Sequence, residues 1–288
     1  MRNITEANLT DAVLARLEEA ADPRFKQVMA SLIKHLHAFV LEVELTEDEW
    51  FEGIKFLTAT GQKCDDKRQE FILLSDVLGV SMLVDAINHR KPSGATESTV
   101  LGPFFVAGAP RMKMGDSISK DGKGEPVYVS GRVLDLEGRP VAGAVLDIWQ
   151  TSSDGFYDVQ DPGQPEMNLR GLFTTATDGR FFFRTVKPSS YPIPTDGPVG
   201  KLLLALGRHP MRPAHIHFII GASGFEPVTT HMFVAGDDYL DSDAVFGVKG
   251  SLVVPFTRHD DAASAHKLGV DNPYHTAEHD FTLVRKSK

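Results

Sequence analysis

Residues 212–222 read Arg-Pro-Ala-His-Ile-His-Phe-Ile-Ile-Gly-Ala. A proline opens the run, a glycine closes it, and β-branched and aromatic residues fill it, as expected of a β-strand. Successive side chains on a strand point to opposite faces, so His215 and His217 face one way and Ile216 and Phe218 the other. The two histidines then stand about 6–7 Å apart along the strand, near enough for two imidazoles to converge on one ion. Ile216 and Phe218 are expected in the core.

Similar runs lie on both sides: VYVSGRVLDL (127–136), AVLDIWQT (144–151), RFFFRTV (180–186), KLLLALG (201–207), TTHMFVA (229–235) and SLVVPF (251–256). Short apolar runs separated by Gly and Pro predict a β-sandwich. The turn DLEGRPVAG (135–143) predicts a hairpin-like link between two strands. Residues 9–92 instead carry apolar side chains at helical spacing, as in FKQVMASLIKHLHAFVLEVEL (25–45) and the long run RQEFILLSDVLGVSMLVDAINHR (68–90). Thr10 and Asp11 are expected to cap a first helix. Thr46 and Glu49 fit a capping box opening EDEWFEGIKFLTATGQ (47–62). The fold class is therefore mainly β with a helical N-terminal region, divided into residues 1–100 and 101–288.

A length of 288 residues allows one large domain or two small ones. The net charge of −9 argues against a nucleic-acid partner, which would need a basic face. The single cysteine, Cys64, excludes an intrachain disulfide and suits a reducing cytoplasm; it is expected to be a structural thiol. The N-terminus shows no apolar leader, and no run of about 18 apolar residues predicts a membrane span.

A bare His-x-His also fits surface or core histidines. Tyrosines add to it. Of five in the chain, Tyr157 follows Ser-Asp-Gly-Phe and Tyr191 precedes Pro-Ile-Pro, settings that suit core aromatics poorly. A phenol titrates near pH 10 and ligates few metals, but a hard trivalent cation can offset its deprotonation. If the tyrosines join the histidines, ferric iron suits the set, whereas zinc would more often use thiolates, imidazoles and carboxylates.

Over nearly its whole length the chain resembles the intradiol catechol-type dioxygenases, and within them the hydroxyquinol 1,2-dioxygenases. The resemblance rests on RQEFILLSDVLGVSMLVDAINH (68–89), TESTVLGPFF (96–105), GRVLDLEGRPVAGAVLDIWQTSSDGFYD (131–158), SSYPIPTDGPVG (189–200), RPAHIHF (212–218) and TTHMFVAGDDYLDSDAVFGVK (229–249). It implies a non-haem Fe(3+) centre held by Tyr157, Tyr191, His215 and His217. It further implies catalytic roles for Tyr191 and Arg212, with Arg212 beside the substrate ring; a surface arginine capping a loop is the plainer reading of Arg212. The implied reaction is ortho cleavage of hydroxyquinol (1,2,4-benzenetriol) with O2, giving 3-hydroxy-cis,cis-muconate, or maleylacetate. A homodimer through a helical linker domain is implied as well, in a family that often holds a lipid such as a phospholipid there.

The substrate pocket implied by the resemblance comprises Leu73, Asp76, Val100, Leu101, Gly102, Pro103, Phe104, Ile193, Pro194, Arg212 and Val245. Asp76 separates the branches: its carboxylate can accept a hydrogen bond from a third ring hydroxyl but would stand unpaired against catechol. Its plainer reading is the polar face of a helix. His231 has two readings, a group behind the metal ligands or a hydrogen-bonded strand histidine. His209, His259, His266, His275 and His279 are expected to be solvated. Two alternatives stand beside hydroxyquinol cleavage: a catechol or chlorocatechol 1,2-dioxygenase, and a sandwich module that binds without catalysis.

Overall fold

Asp22 opens the first long helix by accepting the N–H groups of Arg24 and Phe25, with Pro23 at the first helical position. The computed structural model describes residues 2–66 and 68–286. Among these residues five α-helices come first: α1 (Leu9–Leu14), α2 (Pro23–Glu42), α3 (Glu47–Gln62), α4 (Glu70–Val77) and α5 (Val80–Asn88). The expected capping box forms at α3, where the Thr46 N–H donates to Glu49 at 3.0 Å and the Glu49 N–H to Thr46 Oγ1 at 3.3 Å. Thr10 and Asp11 do not cap. They lie inside α1, which starts on Leu9, and Thr10 Oγ1 meets His37 Nδ1 instead. The long run over 68–90 is also two helices rather than one. Gly79 sits between them at φ +75°, a left-handed conformation that ends α4.

Twelve strands follow among the described residues: β1 (Pro126–Asp135), β2 (Val145–Gln150), β3 (Arg170–Thr174), β4 (Arg180–Val186), β5 (Tyr191–Pro192), β6 (Met211–Arg212), β7 (His215–Gly221), β8 (Val228–Val234), β9 (Val253–Val254), β10 (Thr257–His259), β11 (Tyr274–Glu278) and β12 (Phe281–Leu283). Helix α6 (Pro198–Ala205) lies between β5 and β6, and α7 (Ala262–Leu268) between β10 and β11. One sheet runs β3-β2-β7-β8-β9. The other is built on β1, which pairs antiparallel with β4 and parallel with β11 and β12. Val127, Val129, Phe181 and Phe183 from one sheet and Leu146, Ile148, Ile216 and Phe218 from the other bury in a single core. The sandwich is as expected, and so is the inward direction of Ile216 and Phe218.

Three further expectations fail. KLLLA, the first five residues of KLLLALG, belongs to helix α6, which has Pro198 in its first turn and is followed by Gly207 at φ +69°. DLEGRPVAG does turn back on itself, with the Val141 N–H donating to the Val133 carbonyl, but β1 and β2 then enter different sheets. His275 is buried on β11 rather than solvated, beside Val127 of β1. By packing, residues 1–59 and 60–288 form separate compact units. Helices α4 and α5 therefore fall in the sheet-bearing unit, whereas composition shifts near residue 100. One contact shows why: the buried Glu70 carboxylate accepts the Val199 N–H at the start of α6.

The outer face of the β2 sheet carries Asp147. Burial pushes this carboxyl up to about 6, against the pull of the Arg170 charge. A carboxyl whose folded pKa is raised contributes stability below its unfolded value near 4, and that contribution is lost as pH rises through about 6. Asp147→Asn should therefore raise stability at pH 8 by about 1 kcal/mol, after discounting for a group still half in water, and leave it unchanged at pH 4. Urea denaturation at the two pH values checks this, and an equal effect at both would contradict the assignment.

Candidate metal centre

The outer face of the same sheet carries a row of large side chains from four strands. Arg170 of β3 pairs with Trp149 of β2, Trp149 with His217 of β7, and His217 with His231 of β8. Trp149 lies flat on the His217 ring, with centroids 4.5 Å apart and planes 12° apart. Gly102 is also close to this ring, because a Cβ built on Gly102 would come within 3.3 Å of His217 Cε1. Its φ of +77° disfavours other residues as well.

Two loops add the tyrosines. Gly155, at φ +82°, turns the chain after β2, and a Cβ there would press within 3.3 Å of Ser190 O and Tyr191 Cβ. The Tyr157 loop can therefore lie directly against the Tyr191 strand. The neighbouring Asp158 is tied to the buried Arg170 at 2.6 Å. Tyr157 stacks on Phe104 at 4.6 Å and meets Tyr191 edge-on. Tyr191 pairs with Arg212 across the short β5–β6 ladder.

Four donor atoms converge as a result. Tyr157 Oη stands 3.0 Å from His217 Nε2 and 3.4 Å from Tyr191 Oη, while His215 Nε2 stands 3.0 Å from His217 Nε2. All four residues are buried. His215 Nδ1 is 2.7 Å from the Pro213 carbonyl, which can only accept, so Nδ1 carries the proton and Nε2 a lone pair. Burial, helped by the Arg212 charge, brings His215 down to about 3. Burial likewise holds His217 and His231 well below the usual histidine range, so all three rings are neutral. It also pushes the Tyr157 phenol well up. Lone pairs and phenol oxygens packed this closely suit a strong positive charge among them. A set of two phenolates and two imidazoles, without a thiolate, is hard enough for a trivalent ion. His215, His217 and His231 also form a three-histidine group with ligand atoms within 4.8 Å of one another.

Arg212 Nη1 reaches both Tyr191 Oη and His215 Nε2 at 3.4 Å. Its Nε and Nη2 donate to the two carboxylate oxygens of Asp243. Burial alone would raise Asp243, but Arg212 holds it below the usual carboxylate range. The Val245 and Gly247 N–H groups donate to the same carboxylate.

The expected pocket residues are placed unevenly. Leu73 and Asp76 lie on the buried face of α4, and Asp76, hydrogen-bonded by Ser81, feels the charges of Arg212 and Asp243. Burial raises the Asp76 carboxyl. Ile193 and Val245 are buried, whereas Leu101 and Pro103 are exposed and Val100 and Pro194 half-buried. Sequence reasoning gives no role to Trp149, Asp158, Arg170 or Asp243. Period-two alternation in AVLDIWQT puts Trp149 on the face opposite Ile148, but nothing in one strand shows what it will stack on. A separate cavity of about 690 Å3, lined by residues that include His89, Lys91, Lys249 and His279, shares no lining residue with this centre.

Residues 100–285 match the dioxygenase family and residues 22–96 the catechol dioxygenase N terminus. The chain belongs to the intradiol ring-cleavage dioxygenases. It is 57% identical to a hydroxyquinol 1,2-dioxygenase of Rhizobium sp. (strain MTP-10005), over 97% of this chain and 96% of that one. The structure of hydroxyquinol 1,2-dioxygenase from Pseudomonas putida DLL-E4 is 55% identical, with a TM-score of 0.92 over 98% of this chain and 99% of that one. Catechol 1,2-dioxygenase from Acinetobacter sp. ADP1 has the same fold, with a TM-score of 0.84 over 100% of this chain and 94% of that one, at 29% identity.

The buried Arg212–Asp243 pair sets a stability prediction. Asp243→Ala leaves a guanidinium buried without its partner and should cost about 3–5 kcal/mol. Removing Glu52 from its exposed pair with Lys55 should cost under about 1 kcal/mol. Denaturant titration compares the two, and similar losses would contradict the reading of Arg212 as a desolvated charge.

Proposed function

We propose that this protein is an iron-dependent hydroxyquinol 1,2-dioxygenase, cleaving 1,2,4-benzenetriol between its adjacent hydroxyls with O2 to give 3-hydroxy-cis,cis-muconate, or maleylacetate. The observation that carries this reading is the convergence of Tyr157 Oη, Tyr191 Oη, His215 Nε2 and His217 Nε2 at one buried point. These four residues would hold Fe(3+). When bound, the iron supplies Lewis acidity toward the diol oxygens and draws electron density from the ring toward reaction with O2.

The chain's own groups account for the rest. Tyr191, a phenolate when the metal is held, would take a proton from the incoming diol at Oη and become a neutral phenol, and Arg212, 3.4 Å away, favours negative charge at that place. Asp243 keeps the guanidinium aimed through two hydrogen bonds. Trp149, Phe104 and Gly102 enclose the ring of His217 and the phenol of Tyr157, which limits access of water. Asp76 accepts a hydrogen bond from the third ring hydroxyl. Leu73, Ile193 and Val245 supply apolar wall, with Val100, Leu101, Pro103 and Pro194 nearer its edge. The higher identity to hydroxyquinol enzymes than to the catechol enzyme supports the same substrate.

Residues 1–100 serve in this reading as a linker and dimerisation domain and 101–288 as the catalytic domain. No residue of α2 is buried, and Phe25, Leu32, Leu36 and Phe39 are exposed along it. An apolar face of this kind suits pairing of two copies, with a phospholipid between them. A single cysteine and the absence of a helix long and apolar enough to cross a membrane, among the described residues, agree with a cytoplasmic protein.

Oxygen uptake by the iron-loaded protein, with hydroxyquinol and catechol in parallel and protein-free blanks, tests the substrate. Much faster uptake with hydroxyquinol is expected, and equal or faster uptake with catechol would move the enzyme to the catechol branch. Asp76→Leu should narrow the preference about ten- to hundredfold through kcat/KM for hydroxyquinol. Tyr157→Phe should remove the phenolate-to-iron colour and the activity together; survival of both would show the ligand set to be wrong.

A further inference from the structure

We propose that His231 is a positioning residue for the metal centre: its Nε2 accepts the Nδ1–H of His217 and so holds the lone pair of His217 Nε2 toward the metal. The proposal rests on the iron reading above and extends it to a residue outside the ligand set.

A neutral imidazole has one proton. If Nε2 is to face a cation, the proton sits on Nδ1, and a buried N–H needs an acceptor. His215 finds one locally, because the Pro213 carbonyl two residues earlier lies 2.7 Å from its Nδ1. His217 finds its own across the sheet. The backbone around it is committed to the ladders with β2 and β8. The residue directly opposite on β8 is His231, and its Nε2 lies 2.6 Å from His217 Nδ1. The rings cross at 83° with centroids 4.1 Å apart. His231 is fully buried, and its Nδ1 has no hydrogen-bond partner among the described residues.

Those contacts link two tautomers. With His217 Nε2 facing a metal, His217 carries its proton on Nδ1 and His231 carries its own on the unpartnered Nδ1. Without a metal, the opposite arrangement satisfies more groups: His217 Nε2–H points toward the lone pair of His215 Nε2, 3.0 Å away, and His231 Nε2–H donates to His217 Nδ1. Each ring keeps one proton throughout, so metal loading moves protons between nitrogens without a net gain or loss. The alternative, a three-histidine site with His231 as a direct ligand through Nε2, is disfavoured by geometry. That nitrogen meets His217 at Nδ1, whereas Tyr157 Oη and His215 Nε2 meet it at Nε2, the other nitrogen of the ring.

Two measurements test this on the full-length protein. The first compares iron loss to a chelator from the wild type, His231→Leu and His231→Gln, followed by the charge-transfer absorbance. Leucine fills space without an acceptor and should speed iron loss about 10–100-fold, while glutamine, whose Oε1 can accept, should stay within a few-fold of wild type. Equal retention in all three, or loss as fast in the glutamine variant as in the leucine one, would overturn the proposal, since packing alone would then explain His231. The second uses the unaltered protein loaded with diamagnetic Ga(3+) and 15N-labelled histidine. NMR should show His231 protonated at Nδ1 with gallium and at Nε2 without it; a proton on Nε2 in the loaded form would overturn the assignment. A wild type that takes up neither ion would instead remove the iron reading, and this proposal with it.

Discussion

Two neutral imidazole nitrogens, His215 Nε2 and His217 Nε2, face the same point from 3.0 Å apart, and two phenol oxygens meet them there. A positive charge placed among them would meet two imidazole lone pairs and two phenol oxygens at once. Much of the surrounding structure holds them in place. Strand alternation sets the two histidines on one face, and the β2 and β8 neighbours fix the ring of His217 with Trp149 on one side and His231 behind it. The core is packed by the other face of the same strands, so the sandwich can be apolar inside and polar at the site without conflict.

The tyrosines depend on a different kind of constraint. Neither is on a strand of the large sheets. Tyr157 follows a glycine turn held against Tyr191, and Tyr191 is fixed by a two-residue ladder with Arg212. Two buried ion pairs, Arg170–Asp158 and Arg212–Asp243, anchor these loops. Both partners of each pair are almost wholly shielded from solvent, where a lone charge is costly, so each arginine specifies where its loop must sit.

The sequence shows some of this plainly. Histidine alternation in RPAHIHF gives the face of each side chain, and the glycine and proline around Tyr157 and Tyr191 mark them as loop residues. Other parts mislead for physical reasons. KLLLALG has no clear period, and its helical character lies in Pro198 before it and Gly207 at its end. The run over 68–90 is apolar enough to read as continuous, and only the left-handed Gly79 divides it. Strands β10, β11 and β12 are three to five residues long and separated by polar turns, so the tail containing the buried His275 reads as solvated loop. Partners far apart in sequence, such as Asp243 for Arg212 and Arg170 for Asp158, leave no local pattern.

The most direct test is crystallography of the iron-loaded protein with an anomalous difference map across the iron absorption edge. The account predicts a single strong peak bounded by Tyr157 Oη, Tyr191 Oη, His215 Nε2 and His217 Nε2. A peak elsewhere, or one bounded by His231 in place of a tyrosine, would contradict it.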